Sequence, residues 1–265
     1  MHAHTAVMRK QVSATESVGT LARGLDVLEL LAEEGPALSQ TEIATSLGLP
    51  LPTVHRLCAV LSERGFLERD PASRRFRLGM QVARLVPALL AGLGLPEVAR
   101  GQLRRLASTT GETVNLGVRQ EADVVYLVSE AGGRLLAPRA TVGLRLPLHC
   151  TALGKCLLAQ LSDAEARAAI GPGPYERRTA FTLTSWQSMQ AALEEVREAG
   201  VAISREEYEE GLASYAVPVA WPEGPAALNL SLPTARATEA FREQYVPLLL
   251  EAADAIAAGA ALHGG

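Results

Sequence analysis

Ser39-Gln-Thr-Glu-Ile-Ala-Thr-Ser-Leu-Gly-Leu-Pro-Leu-Pro-Thr-Val-His-Arg-Leu-Cys58 is the stretch that decides the fold of the first part of the chain. Two helices that cross sharply over one small core need apolar side chains where they touch and a small residue at the crossing. They also need a glycine able to take positive φ in the turn. Ile43, Leu47, Leu49, Val54 and Leu57 supply the apolar set, Ala44 the small residue and Gly48 the turn. Ser39 and Glu42 have the spacing of a capping box, in which each side chain accepts the other residue's exposed N–H. The pattern predicts a helix-turn-helix.

Upstream, Leu21, Leu25, Leu28, Leu31 and Ala32 fall on one helical face, stopped by Gly35-Pro36. Downstream, a third helix is expected from Pro52 to Arg64, closed by Gly65, with Val54, Leu57, Cys58 and Leu61 on its inner face. That leaves Thr53, His55, Arg56 and Ala59 exposed near its start. A recognition helix presents its first residues to base edges in the major groove. Thr53 and His55 are therefore candidates for base reading, and Arg56 for a fork onto guanine or a grip on phosphate. Gln40 and Thr41, opening the preceding helix, join them as DNA-contact candidates. From Phe66 to Gly79 two short strands are expected around an Asp70-Pro71 turn. Arg74, Arg75 and Arg77 cluster there, and no Asp or Glu occurs between Pro71 and Pro96, which suits phosphate or minor-groove contact. Three arginines on a lone strand edge are more often a solvated face; directly after a helix-turn-helix the balance turns toward DNA. A three-helix protein-interaction module is the alternative reading.

The 265 residues leave room for a second domain. A net charge of −4 excludes an unstructured basic nucleic-acid binder, but not DNA binding by basic residues gathered on one face. Residues 1–16 are polar and unpatterned, a tail expected to be disordered. Residues 17–79 form the winged helix-turn-helix, 80–95 an apolar linker helix, and 96–260 a domain of mixed texture. In the last, strands are expected at 113–118, 123–129, 201–204, 213–220 and 226–232. Helices are expected from Pro96 to Gly111, after Thr151, after Ser162-Asp-Ala-Glu165, after Thr184-Ser-Trp-Gln187, and from about 236 to 259. The fold class is α+β. Cys58, Cys150 and Cys156 form no closely spaced ligand set, so buried thiols in a reducing cytoplasm are expected and no metal site. Met1 to Lys10 lacks the apolar core of a secretory signal, and Leu85–Pro96 is short of the ~20 residues of a membrane span. A cytoplasmic protein away from membranes follows. No GxSxG elbow, HExxH pair, Walker loop or GxGxxG is present. His149 beside Cys150 is the one thiol–imidazole pair, and neighbours in a strand point to opposite faces. No catalytic residue and no cofactor is expected, and an enzyme is disfavoured.

Nine runs carry a family resemblance. They are Leu38-Ser-Gln-Thr-Glu-Ile-Ala, Thr53-Val-His-Arg-Leu, Gly65-Phe-Leu-Glu-Arg-Asp, Arg77-Leu-Gly, Gly111-Glu-Thr-Val-Asn-Leu, Val125-Tyr-Leu, Pro147-Leu-His-Cys-Thr-Ala-Leu-Gly-Lys155, Glu195-Val-Arg-Glu-Ala-Gly200 and Ala216-Val-Pro-Val219. In their order and spacing, residues 17–260 resemble the IclR family of bacterial transcription regulators. The resemblance implies a winged helix-turn-helix, a linker helix and a GAF-like effector-binding domain built on an antiparallel sheet. It also implies homodimers or homotetramers on double-stranded, palindromic operator DNA, controlled by a small-molecule effector. By motif alignment it assigns the effector to Ala152 and Leu153 at a helix start, to Ser204, Leu212 and Ser214, to Asn229 and Ser231, with Leu135 as a lid. A helix start carries free N–H groups and partial positive charge, which suits a carboxylate. The expected effector is therefore a small organic acid, aromatic acids included. Two departures stand out: Leu51-Pro52 replaces the family's usual Lys-Ser, and Ser204 replaces a usual acid, with Tyr215 and Trp221 also atypical. The operator, the effector's identity, repression or activation, and dimer or tetramer stay open at this point.

Overall fold

The computed structural model describes residues 19–263 apart from 36, 87, 89–93 and 139. The expected tail, 1–16, lies outside the described residues. The chain divides into two compact units, Met1–Leu89 and Leu90–Gly265, which are described separately.

The first unit runs α1 (Thr20–Glu34), α2 (Gln40–Leu47), α3 (Leu51–Glu63), β1 (Leu67–Arg69), β2 (Phe76–Leu78) and a short α4 (Met80–Ala83). The capping box is formed. Ser39 Oγ accepts from the Glu42 N–H, and Glu42 Oε2 accepts from the Ser39 N–H at 2.7 Å. Gly48 ends α2 at φ 63°, the left-handed conformation that a side chain disfavours. α1, α2 and α3 then enclose Val27, Leu30, Leu31, Ile43, Val54, Leu57 and Cys58, with Leu67 and Phe76 of the hairpin sealing one side. α3 begins one residue earlier than expected. Pro50 is its cap and Pro52 stands second in the helix, not first. The N–H that proline lacks there would find no partner within the helix in any case. Of the linker helix expected over 80–95, Met80–Ala83 is helical, 87 and 89–93 lie outside the described residues, and Leu95 already belongs to the next helix.

The second unit is built on an antiparallel sheet of six strands: β3 (Thr113–Gln120), β4 (Asp123–Glu130), β5 (Arg145–Pro147), β6 (Ala202–Arg205), β7 (Leu212–Val219) and β8 (Ala226–Pro233). Their spatial order is β5-β4-β3-β8-β7-β6. Side chains alternate across a strand. Leu228, Leu230 and Leu232 of β8 and Tyr215 and Val217 of β7 thus enter one core, with α5 (Leu95–Thr110) and α9 (Glu239–His263). Ala216 and Ala227 enter the other, with α6 (Ala152–Ala159), α7 (Asp163–Ile170) and α8 (Trp186–Ala199). A fully buried leucine such as Leu103 of α5 or Leu157 of α6 stabilises the fold by about 1.5–3 kcal/mol. Residues 148–150 form a 3₁₀ turn rather than the expected strand end, so His149 and Cys150 do not alternate across a sheet. The turn presses on α6 at Gly154, where an added Cβ would stand 2.0 Å from the Leu148 carbonyl oxygen.

Candidate functional site

The DNA-contact candidates collect at the start of α3 and in the hairpin. His55 and Arg56 are exposed and Thr53 is half-buried, while Gln40 and Thr41 open α2. The hairpin is organised by Asp70, whose Oδ1 accepts from the Ala72 and Ser73 N–H groups and the Ser73 hydroxyl. These bonds hold its carboxyl below the usual range, the Ser73 N–H contributing most. Arg74 sits at the tip with φ 58°.

The three wing arginines are not equivalent. The Arg75 guanidinium forks onto Glu42, Nη1 to Oε2 at 2.8 Å and Nη2 to Oε1 at 2.9 Å, and donates to the Ala37 carbonyl at 3.1 Å. It therefore ties the wing to the cap of α2. The Ser39 N–H, then the Ser39 hydroxyl, then Arg75 hold the Glu42 carboxyl down at about 2. Arg77 donates twice to Glu68 Oε2, at 3.1 and 2.8 Å, from the directly opposite position on β1. The acid-free window from Pro71 to Pro96 gave no hint of this, because the neutralising acids come from α2 and β1. Arg56 and Arg74 make no ion pair among the described residues. Both are left available to an outside anion.

In the second unit, five of the eight effector candidates meet. Ser204, Leu212, Ser214, Asn229 and Ser231 line one cavity of about 30 Å³ with Tyr126, Leu146, Thr151 and Tyr208. Strand register explains the gathering. Ser204 lies opposite Ser214, and Ser214 opposite Ser231. On β3, Asn115 lies between Ser129 on one side and Asn229 on the other. The same sheet face that holds Ala216 and Ala227 against α6 thus switches to polar residues here. They satisfy one another, as buried polar groups must. Asn229 Nδ2 donates to Ser231 Oγ at 2.9 Å, Asn115 Nδ2 to Asn229 Oδ1 at 2.9 Å, and Ser129 Oγ to Asn115 Oδ1 at 2.7 Å and to the Ala140 carbonyl at 3.1 Å.

Three candidates stand elsewhere. Ala152 and Leu153 are fully buried at the start of α6; Thr151, just before them, reaches the cavity while its Oγ1 caps the helix by accepting from the Gly154 N–H. Leu135, assigned as a lid, is wholly exposed at 103% and does not line the cavity. Its loop is fastened by Arg236, which donates to the Leu136 carbonyl at 3.0 Å, and by Thr113 Oγ1, which donates to the Pro138 carbonyl at 2.6 Å. Tyr126 and Tyr208 were missed. Tyr126 is two residues beyond Val124 on the same face of β4, and Tyr208 follows Ser204 by four residues; neither spacing singles out a cavity residue.

Beside the cavity, Lys155 Nζ donates to Glu207 Oε1 at 2.5 Å and to the Ile203 carbonyl at 2.6 Å. Burial nevertheless pushes the Glu207 carboxyl upward. Burial pushes the Cys150 thiol up to about 12 and His149 downward. A thiol held protonated beside a neutral imidazole supplies no nucleophile. Among the described residues, no group of three or more His, Cys, Asp or Glu could hold a metal ion, and no helix is long and apolar enough to cross a membrane.

The family model for the bacterial transcriptional regulator IclR C-terminal region matches residues 88–258, and that for the IclR helix-turn-helix domain matches residues 20–71. The chain belongs to the IclR family of transcription regulators. This IclR-family chain is 34% identical over 233 residues to the HTH-type transcriptional regulator XynR of Escherichia coli, covering 86% of the chain and 92% of XynR. It is 32% identical over 250 residues to KdgR of Escherichia coli, covering 94% and 95%. Among solved structures it is similar to the IclR transcriptional regulator of Alicyclobacillus acidocaldarius, with a TM-score of 0.81, 28% identity, and 92% and 99% of the two chains covered. An IclR homolog from Microbacterium hydrocarbonoxydans, solved with 4-hydroxybenzoate, matches with a TM-score of 0.78, 28% identity and the same coverage. The IclR relatives are transcription regulators and not enzymes, in agreement with the inert thiol and imidazole.

Proposed function

We propose that this IclR-family regulator grips double-stranded operator DNA with α3 and the wing, and that a small organic acid in the polar cavity changes that grip. On the DNA side, Thr53 and His55 read bases, Arg56 and Arg74 take phosphates or guanine, and Gln40 and Thr41 approach the backbone. Arg75 and Arg77 act by holding the wing in place. The protein works in the cytoplasm as a homodimer or homotetramer, whose symmetry a palindromic operator matches.

The effector reading rests on one observation: a sheet face that is otherwise apolar turns polar at Ser204, Ser214, Asn229 and Ser231 around a cavity that Tyr126 and Tyr208 also line. The 4-hydroxybenzoate bound by the Microbacterium hydrocarbonoxydans homolog supports an acid as ligand class. At about 30 Å³ the cavity is smaller than the roughly 150 Å³ that accepts a benzene ring. An aromatic acid therefore has to displace Tyr126 or Tyr208, and that displacement distinguishes bound from free protein. A ligand shifts DNA affinity only through such a difference between states.

The test is a gel shift on the promoter region beside the protein's own gene, with 4-hydroxybenzoate and other small acids added. Arg56→Ala abolishes the shift, whereas Ser214→Val and Asn229→Ala keep it and lose the response to acid. Binding that Arg56→Ala leaves untouched overturns the DNA reading; a response that survives both cavity substitutions overturns the effector reading.

A further inference from the structure

No charged side chain lines the cavity, and the helix start at Thr151 offers a bound acid only partial positive charge. Two cations lie near. Lys155 is neutralised by Glu207 within the fold, at 2.5 Å. Arg178 is only loosely paired. Its side chain is 19% exposed, and the carboxylate it pairs with, Glu176, lies at 4.0 Å and is itself 67% exposed. The Arg178 Nε is buried without a partner, and its guanidinium makes no hydrogen bond among the described residues. A guanidinium carries five N–H donors, and burying such a group without an acceptor is costly.

Its position is set by two turns fastened together. The Arg178 N–H donates to Thr182 Oγ1 at 3.1 Å, Thr179 Oγ1 donates to the Glu206 carbonyl at 2.5 Å, and Thr182 Oγ1 donates to the Glu207 carbonyl at 2.7 Å. The next residue is Tyr208, which lines the cavity, and the Arg178 guanidinium lies over its ring, 4.7 Å from the centroid. One aromatic ring thus separates a loosely paired cation, with an unpartnered Nε, from a chamber of hydroxyl and amide groups. Arginine stacks on aromatic faces while its edge stays free to pair with a carboxylate in a two-point fork.

We propose that Arg178 is the carboxylate anchor of the effector, reached when Tyr208 yields to the ligand; this rests on the reading that an acid occupies the cavity. The serines and Asn229 recognise the uncharged part of the ligand, and Arg178 makes the site select acids over neutral molecules of the same shape. Because its turn is tied to the 206–208 turn, engagement of Arg178 draws both turns onto the ligand.

The experiment measures binding of acetate, pyruvate, gluconate, benzoate and the neutral isostere benzamide to the full-length protein by titration calorimetry and thermal shift. Wild type is compared with R178Q and R178K, and with the cavity variants S214V and N229A. The acids that bind wild type bind R178Q roughly ten- to a hundred-fold more weakly, with R178K between the two. The preference for benzoate over benzamide disappears in R178Q. A merely structural Arg178 would lower the melting temperature of the free protein and leave that preference intact, which overturns the proposal. Should R178Q not fold, R178K decides: an unchanged acid-to-amide ratio and unchanged acid affinity reject the anchor. If acids bind R178Q as they bind wild type but fail on S214V and N229A, the cavity stands and Arg178 is excluded, leaving the start of α6 to hold the carboxylate. If no acid binds wild type, or binding survives in all the variants, the cavity reading falls and the anchor falls with it.

Discussion

Glu42 performs two tasks with one carboxylate: it closes the cap of α2 and receives Arg75 from the wing. Its folded pKa of about 2 lies below the ordinary 4.5, so the stability it lends is fully present above about pH 4.5. That stability is lost as pH falls toward 2. Glu42→Gln is therefore less stable than wild type at neutral pH, and the two converge as acid is added; melting followed by circular dichroism across pH 7 to about 2 checks this. Lys155 is the opposite kind of group, deeply buried with Glu207. Lys155→Met leaves that carboxylate alone in the interior, at an expected cost of about 3–5 kcal/mol in urea unfolding. At this scale sequence reading was least informative. The serine–glutamate box is local, three residues apart, and visible as a spacing. The Arg75–Glu42 fork joins residues 33 apart, and no local pattern records it.

α3 and the wing show how an element can be legible while its chemistry is not. The apolar face of α3 and the glycine before it are period and turn signals, and both formed as expected. The wing's hairpin formed as well, but two of its three arginines are paired with acids of the same unit. Substitutions separate the roles. Arg56→Ala weakens operator binding by about 1–3 kcal/mol and leaves the melting temperature unchanged, as a filter-binding assay and a thermal scan would show. Arg75→Ala lowers the stability of the first unit by about 0.2–1 kcal/mol and weakens DNA binding through a loosened wing. In the second unit, Gly154→Ala places a methyl group against the Leu148 carbonyl. It costs about 1–3 kcal/mol or more, read from the shift in denaturation midpoint. β5 escaped notice because three residues are too few to display alternation.

The whole molecule follows from period-two strands and amphipathic helices, and so its class, two units with an α+β second unit, could be read from residues alone. The sheet order could not. β3 pairs with β8 across more than a hundred residues, and that pairing brings Asn115 to Asn229 and completes the cavity. Only the family resemblance assembled Ser204, Ser214, Asn229 and Ser231 in advance; Leu135, which it assigned as a lid, is exposed and does not line the cavity. The internal pairing of Arg75 and Arg77 has a further consequence, one of counterions. The phosphate contacts proposed for Arg56 and Arg74 contribute about −2 to each DNA-binding head's slope of log affinity against log salt. In the homodimer or homotetramer proposed above, such weak single heads gain tight operator occupancy by being tethered together, where the second binds at an effective concentration set by its tether. Occupancy will track how many heads are joined more steeply than it tracks the salt around them.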